Sequence, residues 1–214
     1  MPLAPKYLAS HTISTTKRLQ VGKPQAHVIE LYLDYCCPFS KILYLKWIKD
    51  VIPAIEKQLN KEFEFQFVHV AQPWHPSSGL MHEAALAVAQ VDSGLFQDFS
   101  KSLFEQQAKW FDEACYIKSR KQIYEELASL ATSVGVPGND VLKLLTINEQ
   151  PFEHNGFPKN GGNAIGPSLK YFTRYHRQNG AHVTPTVAVN GIINGNIGSG
   201  TSPEEVIKLL DAAT

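Results

Sequence analysis

The spacing of apolar residues predicts a β–α–β unit near the start of the chain. Residues 26–35 (AHVIELYLDY) are mostly apolar and too few for a stable helix, which favours a buried strand. From Pro38 onward, apolar residues recur at helical spacing, with a kink expected at Pro53. Residues 62–70 (EFEFQFVHV) alternate apolar and polar side chains, and this alternation is typical of a strand.

The end of the chain returns to β structure. Residues 185–190 and 192–197 predict two short strands joined by an Asn-Gly turn. Residues 201–213 (TSPEEVIKLLDAA) predict a final helix that begins after the N-cap residue Ser202. Because two strands alone are only marginally stable, we expect these strands and the two earlier ones to form one sheet.

The middle of the chain is a succession of helical patterns separated by glycines. The sequence therefore predicts an α/β protein whose β–α–β and β–β–α halves are separated by a helical insertion. We assign residues 1–26 to an irregular N-terminal lead-in and residues 78–180 to the inserted helical region. Residues 27–77 and 181–214 form the sheet-containing domain in this interpretation.

Composition and charge narrow the classes of partner. Hydrophobic residues make up 43% of the 214 residues, enough for a large core. Lys plus Arg and Asp plus Glu number 20 each, so the chain shows no excess charge for binding nucleic acid or a membrane surface. No apolar run reaches the roughly 18 residues of a membrane-spanning helix. We therefore predict neither a nucleic-acid partner nor a membrane partner.

Cysteine usage bears on location. Three cysteines cannot form a disulfide framework, so a reducing compartment fits best and we expect a cytoplasmic protein. A mitochondrial location is the alternative. Lys6, Lys17 and Arg18 lie among Ser and Thr residues without an acidic residue, as in a presequence.

Two adjacent cysteines stand where the first strand meets the first helix. Cys37 precedes Pro38, and proline is favoured at the first helical position. The N-terminus of a helix offers unpaired N–H groups and the positive end of the dipole, which stabilise a thiolate, the nucleophilic form of cysteine. Cys37 is therefore the candidate nucleophile. Cys36 lies one residue earlier on an extended segment and should point the opposite way, into packing.

A family resemblance rests on three features. The motif DYCCPFS follows a strand, VTPT opens a late strand, and a helical block separates the two halves. Over residues 26–212 this arrangement resembles the DsbA-like branch of the thioredoxin superfamily. That branch includes DsbA-type disulfide oxidoreductases, 2-hydroxychromene-2-carboxylate isomerases and kappa-class glutathione transferases. The resemblance implies a thioredoxin-like fold with a helical insertion.

The resemblance also implies a set of site residues. The active-site tetrad of this branch corresponds to residues 37–40 (CPFS). Cys37 takes its nucleophile position, and Pro38 and Phe39 occupy its middle as substrate-binding residues. Thr184 and Pro185 match the cis-proline loop, which faces the nucleophile and pairs by its backbone with a bound peptide or glutathione. We therefore expect a cis peptide bond between these two residues.

The last tetrad position departs from the dithiol enzymes. Ser40 stands where they have a resolving cysteine, and a serine cannot attack a mixed disulfide. Adjacent Cα atoms lie about 3.8 Å apart, below the usual disulfide range of about 4.4–6.8 Å, so a bond from Cys36 to Cys37 would be strained. Cys115 is expected in the core or an interface of the helical block. The Ser40 hydroxyl either donates to a sulfur in catalysis or bonds backbone N–H groups of the helix.

Other polar residues near the tetrad have competing interpretations. The resemblance places the loop after the second strand beside the substrate groove, which makes Trp74 and His75 candidate substrate-binding residues. Local packing by Trp74 is the alternative. Asp34 either tunes the site or is a solvated residue at the end of a strand, and we favour the solvated residue.

Three histidines lie close together in the sequence. His69, His75 and His82 fall on a strand, a loop and a helix, without the short spacings of zinc ligands. We therefore predict no metal site and no tightly bound cofactor. Glutathione is a candidate co-substrate through the resemblance alone.

Three functions follow. The first is a monothiol thiol–disulfide oxidoreductase or glutathione-using enzyme, in which Cys37 attacks a disulfide or an electrophile and an external thiol such as glutathione releases the product. The second is a kappa-transferase or isomerase-like enzyme, in which Cys37 or Ser40 orients bound glutathione. The third is a binding module without turnover that recognises an extended peptide by backbone pairing at Thr184 and Pro185.

Overall fold

The computed structural model describes residues 2–15, 26–147, 152–154 and 157–214. Within these ranges the chain forms a five-stranded sheet, a separate two-stranded hairpin and ten α-helices. The strands are β1 (Thr12–Ser14), β2 (His27–Leu33), β3 (Phe63–His69), β4 (Phe152–His154), β5 (Phe157–Lys159), β6 (Thr186–Val189) and β7 (Ile192–Ile193). The helices are α1 (Pro5–His11), α2 (Pro38–Lys46), α3 (Ile52–Gln58), α4 (Ser78–Val91), α5 (Phe96–Glu105), α6 (Asp112–Cys115), α7 (Arg120–Ser133), α8 (Gly138–Leu145), α9 (Gly166–Gln178) and α10 (Pro203–Ala213).

The order of the strands brings three loops together at one end of the sheet. The order is β1-β3-β2-β6-β7, with β2 parallel to β3 and antiparallel to β6. The carboxyl ends of β2 and β3 therefore lie beside the amino end of β6, as the pairing of Tyr32 with Thr186 and of Leu33 with His69 shows. The segments after β2, after β3 and before β6 meet there.

The two parallel strands are buried on both faces. β2 is buried from Ile29 to Leu33, as expected of a central strand covered by helices. The alternation in β3 predicts one apolar face and one polar face, and Phe63, Phe65 and Phe67 are indeed buried. Gln66, on the polar face, is buried as well. Tertiary packing thus covers a face that the pattern marks as polar.

The irregular lead-in that we predicted was wrong for residues 5–14. Helix α1 begins with Pro5 at its first position, and β1 adds an outer strand in which Thr12 pairs with Gln66 of β3. A helix of seven residues and a strand of three are too short to produce a readable period. The rest of the predicted lead-in, including Lys17 and Arg18, lies outside the described residues.

The end of the chain matches its pattern, with one difference. Asn190 and Gly191 both have positive φ, 51° and 81°, as the predicted hairpin turn requires. Ser202 caps α10 by accepting the N–H of Glu205. The strand predicted at 192–197 was too long, because β7 contains only Ile192–Ile193.

Two local features of the helical segments were not in the pattern. A π-helical segment, Trp47–Val51, connects α2 to α3 just before Pro53, where we expected a kink. The insertion is mostly helical, but it also contains the hairpin of β4 and β5. No helix in the described part of the chain is long and apolar enough to cross a membrane.

Candidate active site

Cys37 lies where the sequence places it, at the junction of β2 and α2. It is the N-cap residue of α2, and Pro38 occupies the first helical position. The Cys37 N–H donates to the Asp34 carbonyl at 3.0 Å, and the Cys37 carbonyl accepts the Lys41 N–H at 3.2 Å. The Cys37 thiol donates to the carbonyl oxygen of Thr184 at 3.4 Å. The backbone thus fixes this sulfur against the loop that precedes β6.

The loop before β6 has the predicted geometry. The peptide bond between Thr184 and Pro185 is cis, as expected. Large apolar side chains stand open on both sides of the contact with Cys37. Phe39 in the first turn of α2 is 58% exposed, and Val183 beside Thr184 is 64% exposed. Cys37 itself is 6% exposed, so its sulfur lies at the floor of an apolar surface.

Cys36 has packed contacts away from the Thr184 loop, as predicted, but it lies in a turn and not on the extended segment that we expected. The Cys37 N–H closes this turn on the Asp34 carbonyl. Its sulfur lies 3.3 Å from Met81 Sδ, 3.5 Å from Ser77 Oγ and 3.8 Å from the Trp110 carbonyl. Burial, reinforced by the nearby charge of Asp34, raises the pKa of Cys36 to about 12. Cys36 is therefore a neutral, packed thiol at physiological pH.

Cys115 ends α6 in the inserted helices. Its side chain is partly exposed, and its sulfur lies 3.9 Å from the Lys109 carbonyl. Burial raises the pKa of Cys115 above its usual value. The three cysteines of the chain are free thiols.

Asp34 is not the solvated residue that we favoured. Its side chain is fully buried, because β2 ends beneath the loop after β3. The carboxylate accepts the Cys36 N–H at 2.9 Å, the Ser78 hydroxyl at 2.5 Å and a contact from His75 Nδ1 at 2.6 Å. Burial by itself would raise the pKa of Asp34, but polar contacts with His82, Ser78 and His75 hold it below its usual value. Sequence reasoning underrated this residue because its partners are distant in the chain.

Ser40 faces the end of the strand. Its hydroxyl is fully buried and accepts the backbone N–H of Asp34 at 3.2 Å. This contact corresponds to the backbone-bonding interpretation of Ser40. The side chain still lies one helical turn from Cys37, at the tetrad position.

His75 and Trp74 are placed differently from each other. His75 is half-buried and borders a cleft of about 190 Å³, together with Cys36 and Pro38. Trp74 is 59% exposed, with its ring 6.1 Å from that of His75. A larger cleft of about 510 Å³ lies in the inserted helices near Lys109 and contains none of the predicted site residues.

The three histidines that are close in sequence also converge in space. His69 contacts His82, and both His82 and His75 face Asp34. His11 joins them, and sequence reasoning missed it because it lies in the supposed lead-in. Among the described residues, no group of three or more His, Cys, Asp or Glu could hold a metal ion. The histidines form hydrogen bonds with one another.

Comparison with known proteins gives structural neighbours. No protein-family model and no curated protein matches the chain. A candidate protein-disulfide isomerase from Pseudomonas syringae is 20% identical with a TM-score of 0.66, over 86% of this chain and 93% of that one. MdbA, a thiol-disulfide oxidoreductase from Corynebacterium diphtheriae, is 18% identical with a TM-score of 0.57, over 91% and 86%. DsbA from Chlamydia trachomatis is 18% identical with a TM-score of 0.56, over 91% of each chain.

These similarities show the fold. The chain has the thioredoxin-like fold with a helical insertion between its β–α–β and β–β–α halves, as its motifs led us to expect. The structural neighbours thus include a DsbA and a thiol-disulfide oxidoreductase. The isomerase and glutathione transferase relatives, like the domain boundaries, stay predictions.

Proposed function

We propose that this protein is a monothiol thiol–disulfide oxidoreductase-like enzyme with Cys37 as its nucleophile. The observation that carries the proposal is the position of the Cys37 sulfur, at the N-terminus of α2 and 3.4 Å from the Thr184 carbonyl. The free N–H groups and dipole of α2 favour the thiolate there. The thiol-disulfide oxidoreductase among the structural neighbours supports the same class.

The proposed reaction exchanges one disulfide for another. The Cys37 thiolate attacks one sulfur of a substrate disulfide, forms a mixed disulfide and expels the second sulfur as a thiolate. An external thiolate then attacks the mixed disulfide, restores the Cys37 thiolate and leaves with the substrate sulfur. Each step forms one S–S bond and breaks one, so no further oxidant or cofactor is needed.

The external thiol is required because no second cysteine is positioned to act on Cys37. Ser40 replaces the resolving residue, and its hydroxyl bonds the Asp34 N–H. The Cys36 sulfur is packed against Met81 on the opposite side of the turn. Glutathione is the thiol that we propose, and the cytoplasm would supply it. This choice rests on the reducing conditions that the cysteine content favours.

The exposed apolar side chains favour a peptide as the disulfide substrate. Phe39 and Val183 lie on either side of the Cys37 contact, and both are more than half exposed. Ile42, one turn after Phe39 on α2, is also 50% exposed. An extended apolar segment can cover these side chains while its backbone pairs at Thr184 and Pro185.

Intact-mass spectrometry tests the proposal. The protein is incubated with oxidised glutathione or with a peptide disulfide, and the adduct is mapped. We expect one mixed disulfide, on Cys37, that reduced glutathione removes. Cys37→Ser should give no adduct, and Cys36→Ser, the matched control, should react like wild type.

Other outcomes would replace the proposal. An adduct that persists in Cys37→Ser would overturn the assigned nucleophile. Conjugation of reduced glutathione to an electrophile, without disulfide exchange, would support the transferase or isomerase alternative. Peptide binding without any covalent step would leave the binding module.

A further inference from the structure

A chain of buried polar side chains crosses the core behind the candidate active site. Ser10 Oγ lies 2.7 Å from His11 Nδ1, and His11 Nε2 lies 2.9 Å from His69 Nε2. His69 Nδ1 then lies 2.7 Å from His82 Nδ1. All three imidazoles are at most 1% exposed. The chain thus connects α1, β3 and α4 through the interior of the protein.

The last imidazole faces the carboxylate of Asp34. His82 Nε2 lies 3.6 Å from Asp34 Oδ1, slightly beyond hydrogen-bond distance. This buried nitrogen has no hydrogen-bond partner within the described parts of the chain. The other groups on the carboxylate are the His75 ring, the Ser78 hydroxyl and the backbone N–H groups of Cys36 and Gln72. Asp34 is thus the acceptor toward which the free His82 nitrogen is aimed.

Aromatic rings surround this chain of hydrogen-bonded side chains. The His11 ring stacks on Phe96 at 4.1 Å and on Phe172 at 5.2 Å between ring centroids. The His82 ring lies 4.7 Å from Tyr35. Burial lowers the pKa of His11 to about 3 and the pKa of His69 well below its ordinary value. His11 and His69 are therefore neutral at physiological pH.

Neutral imidazoles impose a single direction on the chain. Each has one N–H and one lone pair, so a ring that donates at one nitrogen accepts at the other. If His82 also holds a single ring proton, that proton belongs on Nε2, because this nitrogen faces the Asp34 carboxylate. Its Nδ1 then accepts from His69 Nδ1, and His69 Nε2 accepts from His11 Nε2. In this direction His11 Nδ1 accepts the hydroxyl proton of Ser10 at 2.7 Å, and the Tyr7 carbonyl, 3.2 Å from the same hydroxyl, is the competing acceptor.

We propose that His82, held by His69 and His11, is a positioning residue that directs an N–H at the Asp34 carboxylate and thereby stabilises the turn that carries Cys37. The effect on Cys37 rests on the proposed function, whereas the state of Asp34 does not. Asp34 reaches the turn through three atoms. Its carboxylate accepts the Cys36 N–H, its carbonyl accepts the Cys37 N–H, and its own N–H donates to Ser40 Oγ.

The first test determines the positions of the protons. Nitrogen-15 NMR of the histidine-labelled protein at neutral pH should show Nε2–H on His82, Nδ1–H on His69 and Nε2–H on His11. An unprotonated Nε2 on His82 would overturn the proposal, because Asp34 would then lack this donor. A proton on Nε2 of His69 would overturn it too, because the chain would no longer run in one direction. Neither result depends on the reactivity of Cys37.

The second test removes the donor. Carbon-13 NMR follows the titration of the Asp34 carboxyl group in His82→Leu and in His82→Gln, whose amide can donate from the Nε2 position. The titration midpoint should move to higher pH in His82→Leu and return toward wild type in His82→Gln. His176→Gln is the matched control, because His176 is buried but bonds the Ala181 carbonyl instead. An unchanged midpoint in a folded His82→Leu variant would overturn the proposal.

A third experiment distinguishes a broken hydrogen-bonded chain from misfolding and relates the chain to the reactivity of Cys37. His11→Phe keeps an aromatic ring between Phe96 and Phe172 but removes the partner of His69 Nε2, so the His69 Nε2 resonance should shift while His82 keeps its proton on Nε2. An unchanged His69 Nε2 resonance in a folded His11→Phe would contradict the hydrogen-bonded chain. The rate of Cys37 alkylation at neutral pH should fall in His82→Leu, because the turn that holds Cys37 loses its support. If wild-type Cys37 does not react at all, the proposed function fails. The NMR results still show whether the hydrogen-bonded chain of histidines exists.

Discussion

The two cysteines of the turn at residues 36 and 37 are both buried, but their surroundings differ. Cys37 opens toward the loop at Thr184, with exposed Phe39 and Val183 beside it. Cys36, one residue earlier, is packed against Met81, and burial raises its pKa to about 12. The two residues have the same chemistry. Their difference comes from the turn at residues 35 and 36, which sends the Cys36 sulfur toward Met81 and leaves Cys37 at the N-terminus of α2.

The comparison also separates two ways of building a site. On the Cys37 side, backbone groups and an open apolar surface leave room for a partner. On the Cys36 side, the carboxylate of Asp34 collects donors from the β2 turn, from the loop after β3 and from α4. The Cys37 side provides the candidate reactive thiol, and the Cys36 side fixes the geometry of the turn. A change on either side should therefore affect a different measurement.

The largest expected effect is on alkylation. Brief treatment with iodoacetamide near neutral pH should label Cys37 first, and Cys37→Ser should abolish the rapid phase. Cys36→Ser should leave it intact, because a buried neutral thiol is a poor nucleophile. Peptide mapping after quenching measures this. Preferential labelling of Cys36 or Cys115 would show that Cys37 is not the most reactive thiol.

The hydrogen bonds of Asp34, on the Cys36 side, should contribute to the stability of the fold. Asp34→Ala leaves several buried donors without an acceptor, so we expect the free energy of unfolding to fall by about 3–5 kcal/mol. Asp211→Ala is the control, because its ion pair with Lys61 at 2.7 Å is exposed and should contribute about 0.2–1 kcal/mol. Urea denaturation compares the two variants. Equal losses would show that the Asp34 network does not stabilise the fold.

The pH dependence of stability sharpens the same point. The pKa of Asp34 is lower in the folded protein than its ordinary value of 3.8. Its contribution to stability is therefore fully present above that value and is lost as pH falls through the folded pKa. The difference in unfolding free energy between wild type and Asp34→Asn should thus be constant at neutral pH and shrink in acid, by at most about 1.4 kcal/mol per pH unit. A difference that grows in acid would contradict this sign.

The smallest expected effect is a gain of activity in Ser40→Cys. A thiol at this position, one helical turn after Cys37, can resolve a mixed disulfide without an external thiol. The gain should be limited because Ser40 is fully buried and sulfur is larger than oxygen. Reduction of a peptide disulfide with and without glutathione measures it, with Ser100→Cys as a buried control away from the turn. No gain over that control would show that the turn cannot bring the two sulfurs together.

The sequence predicted those features that depend on local patterns. The alternation of β3, the Asn190–Gly191 turn and the Cys37–Pro38 junction each appear within a few consecutive residues, and the structure has all three. The buried state of Asp34 was not predictable in this way. Its partners are His75, Ser78 and His82, which reach it only after β3 has paired with β2.

The short outer strands of the sheet restrict how another chain can attach to the protein. β1 has three residues and β7 has two, so each flank of the sheet ends in a strand too brief to serve as a template for a further strand. Long open flanks invite aggregation through edge-to-edge pairing. Among the described residues, β2 lies between β3 and β6, and β1 pairs with the part of β3 from Glu64 to Gln66. An incoming polypeptide therefore meets the loops at the end of the sheet before it meets a free strand.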